Sequence, residues 1–208
     1  DNLLINLSTE QDTIIIGYDA MRYPNKVVKN GVERILHYDH KGRLLFETDG
    51  AGMLVRNYIY RGKRLIACHT SDSSTLFYHY NRQGHTMAIT DESGNILNSY
   101  AYSVTGELIG KEETVFNWFT FLGAFGALSL NDDYILTGSR VYSPQFARFL
   151  QPDPLGVITG TNPYLYADNN PLKGIDPTGL DDQDGTINAA ELDPSVDNDY
   201  ATAGGTAN

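Results

Sequence analysis

The chain has 208 residues, 41% of them hydrophobic and 20% charged, with a formal net charge of −11 and a pI near 4.7. That size and composition suit one packed domain with appendages, and the acidity excludes a nucleic-acid or anionic-membrane binder working through a basic patch. A single cysteine, Cys68, excludes an internal disulfide framework and a multi-thiolate zinc site.

From residue 13 to about 110 the chain repeats itself. Residues 37–60 match residues 79–102 without gaps at an offset of 42, with eight identities in 24 positions. The unit halves again, since Tyr18, Tyr38, Tyr60, Tyr80 and Tyr102 follow at intervals of 20, 22, 20 and 22. Glycine stands four residues after the tyrosine at Gly42, Gly84 and Gly106, and Thr48-Asp49-Gly50-Ala51-Gly52 and Thr90-Asp91-Glu92-Ser93-Gly94 supply the return turns. Aspartate and glycine there suit tight turns, through side-chain capping and positive φ. Tyr58/Tyr60, Tyr78/Tyr80 and Tyr100/Tyr102 stand two residues apart, so each pair shares one face of a strand. The pattern predicts a long antiparallel meander with aromatic ladders between strands. No convincing amphipathic helix precedes residue 180. Such an array leaves unpaired edges at both ends, and the chain opens on Asp-Asn-Leu-Leu with no signal-like segment. Both lead us to expect a piece of a larger sheet.

His37, His40, Cys68, His69, His79 and His85 are the candidate ligands of a metal site, but His37 and His79 fall at equivalent repeat positions, which suits strand packing better. An aromatic, glycine-spaced run follows from Val115 to Leu128, with Phe116, Trp118, Phe119, Phe121 and Phe125. It reads as buried sheet entering the next region, and it is too short and too interrupted to span a bilayer.

Then comes a dense set of motifs: Arg140-Val141-Tyr142-Ser143-Pro144, Arg148-Phe149-Leu150-Gln151-Pro152-Asp153-Pro154-Leu155-Gly156, Asn162-Pro163-Tyr164-Leu165-Tyr166-Ala167-Asp168-Asn169-Asn170-Pro171 and Asp176-Pro177-Thr178-Gly179-Leu180. Asp-Pro-x-Gly occurs twice, at Asp153 and Asp176. One reading is a type I turn, with aspartate capping and proline second. The other is an aspartic dyad: two carboxylates brought together share a proton, the ionised one activating water and the protonated one polarising a carbonyl.

With Tyr38-Asp39-x-x-Gly42-Arg43-Leu44, these motifs resemble the Rhs, or YD-repeat, family, and the last part resembles its Rhs-associated core. The resemblance covers about residues 18–180. It implies a mainly β fold, an antiparallel YD-repeat meander forming part of a hollow β-cocoon shell, with a core cassette curling inward as a plug. It divides the chain into a shell segment (1–114), the core with an autoprotease site (115–180) and an acidic tail (181–208). It also implies a bacterial toxin carrier, secreted or at the cell surface. Its partners are the rest of its own shell, a C-terminal toxin cargo and secretion-apparatus or toxin-complex proteins, with no nucleic acid and no membrane span. In self-cleaving members an arginine and two aspartates act, which map onto Arg140, Asp153 and Asp176, and the cut follows the closing leucine, here at Leu180–Asp181. Arg148 is the rival arginine. The sequence departs from the family pattern at Val141, Ser143, Ala147 and Val157. No organic cofactor is implied.

The last 28 residues carry seven acids and no lysine or arginine, and end as a linker would. Within them Asp182, Asp184, Asn188 and Glu191, with Gly185 between, resemble a calcium loop. The first ligand position falls on Leu180, which cannot coordinate, so a solvated acidic linker is the stronger reading. Residues 193–208 are expected to be poorly packed. Against the self-cleaving carrier stand a purely structural or adhesive YD-repeat module, in which both Asp-Pro-x-Gly motifs are turns, and a calcium-dependent extracellular module.

Overall fold

A computed structural model describes residues 4–10, 12–21, 23–154, 162–171 and 174–180. The calcium-loop residues Asp182, Asp184, Asn188 and Glu191, the far side of the expected cut at Asp181, and the rest of the tail lie outside them.

The repeat region is an eleven-stranded sheet in strict sequence order, every neighbour antiparallel. Its strands are β1 (Leu4–Ser8), β2 (Thr13–Tyr18), β3 (Pro24–Lys29), β4 (Val32–Tyr38), β5 (Leu44–Asp49) and β6 (Leu54–Arg61). They continue as β7 (Arg64–Thr70), β8 (Thr75–Tyr80), β9 (Thr86–Thr90), β10 (Ile96–Tyr102) and β11 (Leu108–Glu113). The meander therefore exceeds the expected 13–110 at both ends.

Five of the turns share one form. At Asp19, Asp39, Asp49, Asn81 and Asp91 the side-chain Oδ1 accepts the backbone N–H groups two and four residues on. The residue's own N–H closes the loop onto the carbonyl four residues on. Gly42 and Gly84 occupy the fourth position with φ of 76° and 82°, which side chains disfavour. Each repeat tyrosine also sits beside a register shift, between Gly17/Tyr18, His37/Tyr38, Ile59/Tyr60, His79/Tyr80 and Ala101/Tyr102. A bulge recurring with every half-unit adds twist at regular intervals, so the sheet bends as it grows.

Aromatic stacking runs both between and along strands. His37 stacks on Phe46 of the neighbouring strand at 4.2 Å, and Tyr38 on Tyr23 at 5.4 Å, while Tyr78–Tyr80 (6.1 Å) and Tyr100–Tyr102 (6.5 Å) stack along single strands. The repeat tyrosines end alternate strands, and arginines from the intervening segments cover two of them: Arg43 over Tyr60 and Arg64 over Tyr80, at 5.5 and 5.0 Å. The histidines do obey the repeat. His37 bonds Thr48 and His79 bonds Thr90, the same cross-strand pair 42 residues apart. Among the described residues no group of three His, Cys, Asp or Glu could hold a metal, and no helix is long and apolar enough to cross a membrane.

From Asn117 to Leu130 the run is largely buried as expected, though Phe116 is exposed, and most of it is not sheet. It forms an irregular strap, with one 3-10 turn at Gly123–Phe125 and only Leu128–Ser129 in a strand. The reason is that the strap bonds to turn edges and side chains of the first sheet instead of to a neighbouring strand. Ala124 N donates to Gly84 O, Leu122 N to His85 Nδ1, and Thr86 Oγ1 to Phe119 O. Phe119 lies edge-on to Tyr58 and Tyr78, and Trp118 Nε1 donates to the fully buried Glu47 at 2.7 Å. The next loop touches both margins of the sheet: Lys29 Nζ donates to Leu130 O and Lys111 pairs with Asp132. In a flat sheet β3 and β11 would lie roughly 40 Å apart at the usual strand spacing, so the meander curls around the strap.

A second, four-stranded antiparallel sheet follows: β12 (Leu128–Ser129), β13 (Ile135–Thr137), β14 (Arg140–Ser143) and β15 (Arg148–Phe149). Leu128, Leu136 and Val141 join the core of the first sheet, while Phe121, Tyr142, Phe149 and Tyr166 pack into an aromatic core of their own. Tyr142 Oη ties that core to the repeat region by donating to Thr105 O at 2.7 Å.

Candidate functional site: a buried arginine between two aspartates

Arg140 opens β14, its side chain 1% exposed, with the guanidinium 3.7 Å over the Phe149 ring. A cation stays there only if its donors are used. Nη2 contacts Asp153 Oδ2 at 3.1 Å and Asp176 Oδ2 at 3.2 Å, Nη1 donates to Pro163 O, and Nε to Gly179 O. The three residues of the expected site, 36 positions apart at the extremes, therefore meet around one nitrogen. The guanidinium contacts both acids.

Each acid is placed by short-range backbone bonding. Asp153 N donates to Pro163 O at 2.8 Å, which docks the segment after β15 against the 162–166 stretch. Asp176 performs both of the roles its motif suggested. Its Oδ1 caps the turn, accepting from Gly179 N at 2.8 Å and Thr178 Oγ1 at 3.1 Å, while its Oδ2 faces Arg140. Burial pushes the Asp176 carboxyl above the usual range; Arg140, the Thr178 hydroxyl and the Gly179 and Leu180 amides oppose that without cancelling it.

The chain just before Asp181 is clamped. Ser139 N donates to Thr178 O at 3.1 Å, and Ser139 Oγ to Gly179 O at 2.9 Å. The two turns touch backbone to backbone. A Cβ on Gly138 would lie 2.2 Å from Thr178 O, and one on Gly179 would lie 2.5 Å from Thr137 O. Leu180 N donates to Thr178 Oγ1, whose hydroxyl also lies 3.3 Å from Leu180 O. Sequence reasoning missed Gly138, Ser139 and Thr178. Gly138-Ser139 belongs to none of the sequence motifs, and only its docking on residues 178–179 gives it importance. Arg148, the rival arginine, is exposed and stacks over Tyr164 at 4.6 Å.

A cavity of about 790 Å³ lies elsewhere, lined by Asp12, Lys29, Lys111 and Asp132 among others. None of the three clustered residues lines it.

No protein-family model matches the chain. It is 28% identical over 189 residues to the tRNA3(Ser)-specific nuclease WapA of Bacillus spizizenii, covering 86% of this chain and 8% of that protein. Over 41 residues it is 51% identical to the toxin protein Tse5 of Pseudomonas aeruginosa, covering 20% of this chain and 3% of that one. Among solved structures, a Photorhabdus luminescens Tc holotoxin pore with a TccC3 aspartate-to-alanine variant superposes with a TM-score of 0.56 at 16% identity, over 87% of this chain and 11% of that one. A TcdB2-TccC3-Cdc42 structure gives 0.54 at 17%, over 84% and 10%. At such identities the structural likeness is one of fold: the chain is built like a segment of these Tc toxin chains. It spans about a tenth or less of the proteins it matches.

Proposed function

We propose that the chain is the wall and plug of an Rhs toxin carrier, which encloses a C-terminal toxin and frees it by cutting the Leu180–Asp181 bond once, in cis. The observation that carries this reading is the buried Arg140 gripping Asp153, Asp176 and Gly179 O together, one residue before that bond. A structural turn needs Asp176 Oδ1 alone; it has no use for a second carboxylate buried on the same guanidinium. The likeness to toxin proteins and to Tc toxin chains supports the carrier role, an exported location, and partners within a toxin complex.

In this mechanism Asp153 takes a proton from a water whose oxygen adds to the Leu180 carbonyl carbon, and Asp176, the acid that burial favours in its neutral form, supplies the opposing proton. The C–N bond then breaks, and the Asp181 nitrogen takes the proton held by Asp153. Because attack is intramolecular, fixed geometry alone can contribute up to ~7–11 kcal/mol, so a slow dyad suffices for one turnover.

The test is the intact mass of freshly made chain, wild type beside Asp153→Asn and Asp176→Asn. The wild type should lose the 28 residues after Leu180, while both variants stay whole, slowed by about 10²–10⁴-fold as for a lost acid or base. Equal, uncut masses in all three would leave the structural module as the reading.

A further inference from the structure

Among the described contacts, neither Asp176 oxygen reaches the carbonyl it is to polarise. Oδ2 is committed to Arg140, and Oδ1 to Gly179 N and the Thr178 hydroxyl. That hydroxyl lies 3.1 Å from Asp176 Oδ1 and 3.3 Å from Leu180 O. It also accepts from Leu180 N, so one Oγ bridges the acid and both sides of the Leu180 residue. Its place is enforced from outside the turn: Ser139 N and Oγ bind the Thr178 and Gly179 carbonyls, and the close approach of Gly138 leaves the Thr178 backbone little freedom to swing away.

We propose that Thr178 is a further catalytic residue, its hydroxyl carrying a proton from Asp176 to the Leu180 carbonyl oxygen. This rests on the self-cleavage reading above. As water adds to the carbonyl carbon, the Thr178 hydroxyl proton passes to the carbonyl oxygen and is replaced by the proton of Asp176. On collapse, when the bond to the Asp181 nitrogen breaks, one hydroxyl of the tetrahedral carbon returns a proton through Thr178 to Asp176. The products are a Leu180 carboxylic acid and an Asp181 amine, and Thr178 and Asp176 end as they began. The arrangement explains why a turn residue can serve chemistry. An Asp-Pro-Thr-Gly turn places its third side chain back toward the residue that follows.

The experiment follows the rate of loss of the intact 208-residue mass for wild type, Thr178→Val, Thr178→Ser and Asp176→Asn, with a melting curve for each. Valine keeps the shape and removes the hydroxyl, and should slow cutting about 10²–10³-fold, the usual loss for an oxyanion donor. Serine keeps the hydroxyl and should stay within about tenfold of wild type. Valine at the wild-type rate, or serine as slow as valine, overturns the role of Thr178 while a dead Asp176→Asn leaves the dyad standing. Asp176→Asn at the wild-type rate, or an uncut wild type, overturns the dyad and the relay with it. If the valine variant melts well below wild type, Thr178→Ala takes its place in the comparison with serine and is read by the same criteria.

Discussion

Among the described residues, two arginine–carboxylate clusters, one in the repeat sheet and one in the cassette, differ in their charge balance. In the sheet Glu47, fully buried on β5, meets one cation, Arg56 at 3.2 Å, and two neutral donors, Trp118 Nε1 and Tyr58 Oη. One negative charge faces one positive charge, and the spare lone pairs are filled by groups that do not titrate near neutrality. In the cassette a single guanidinium faces two carboxylates, Asp153 and Asp176. One negative charge is in excess where solvent cannot screen it, and a proton is the simplest remedy. Burial alone therefore does not distinguish the two. The first cluster pins a strap to a sheet, and the second is the one on which the proposed cutting depends.

The sharpest way to break this comparison is to remove each cation's or acid's partner. Arg140→Met leaves two buried carboxylates without their shared guanidinium; we expect a loss of about 3–5 kcal/mol in urea unfolding, as for a broken buried pair, and loss of cutting as well. A variant as stable as wild type would show that the cassette carries no net charge stress. Glu47→Gln keeps an acceptor for Trp118 and loses only the charge. It should cost about 1–3 kcal/mol and leave the cutting rate unchanged, and a cutting defect there would erase the distinction between the two clusters.

Proton linkage sharpens it further. His85 is 4% exposed, stacked on Phe121 at 4.2 Å, and accepts the Leu122 N–H through Nδ1. Burial pushes its ring down to about 4. The unfolded chain then binds the proton more readily, so stability is complete above the ordinary value of about 6.5 and falls as the pH drops toward 4, by roughly 3 kcal/mol in all. Asp176 has the opposite sign: its raised value makes the fold more stable when it is protonated, and that contribution is lost as pH rises through its folded value. Urea titrations between pH 7 and 4.5 should show the His85 slope in wild type and not in His85→Gln. Parallel curves would remove the strap contact from the account.

The smallest effect compares two turn glycines. Gly94 and Gly106 have φ of 83° and 92°, so alanine strains both alike, by about 1–2 kcal/mol. Nothing lies within 4 Å of a Cβ at Gly94, whereas one at Gly106 would meet the Phe121 ring at 2.3 Å. Gly106→Ala should therefore melt lower than Gly94→Ala. Equal melting temperatures would mean that the strap does not press on the repeat turns.

How much of this was legible in the sequence follows the range of the interactions. Five turns of the meander are closed by a side chain and two N–H groups within four residues, so Asp39 to Arg43 or Asp91 to Asn95 could be read directly, and the 42-residue offset carried the antiparallel order. The two Asp-Pro-x-Gly motifs and the opening arginine were visible as residues, but their role rested on resemblance, since nothing local distinguishes a capping aspartate from a reactive one. The tertiary structure alone decided the rest. Glu47 meets Trp118 across 71 positions, and Ser139 meets Gly179 across 40. The strap, whose aromatic run suggested another strand, forms one only at Leu128–Ser129, because backbone groups of Phe119, Thr120, Leu122 and Ala124 are taken by Thr86, His85 and Gly84. Short-range hydrogen bonding writes itself into spacing. Which distant groups must share a buried charge depends on where the curled sheet brings them, and spacing does not record that.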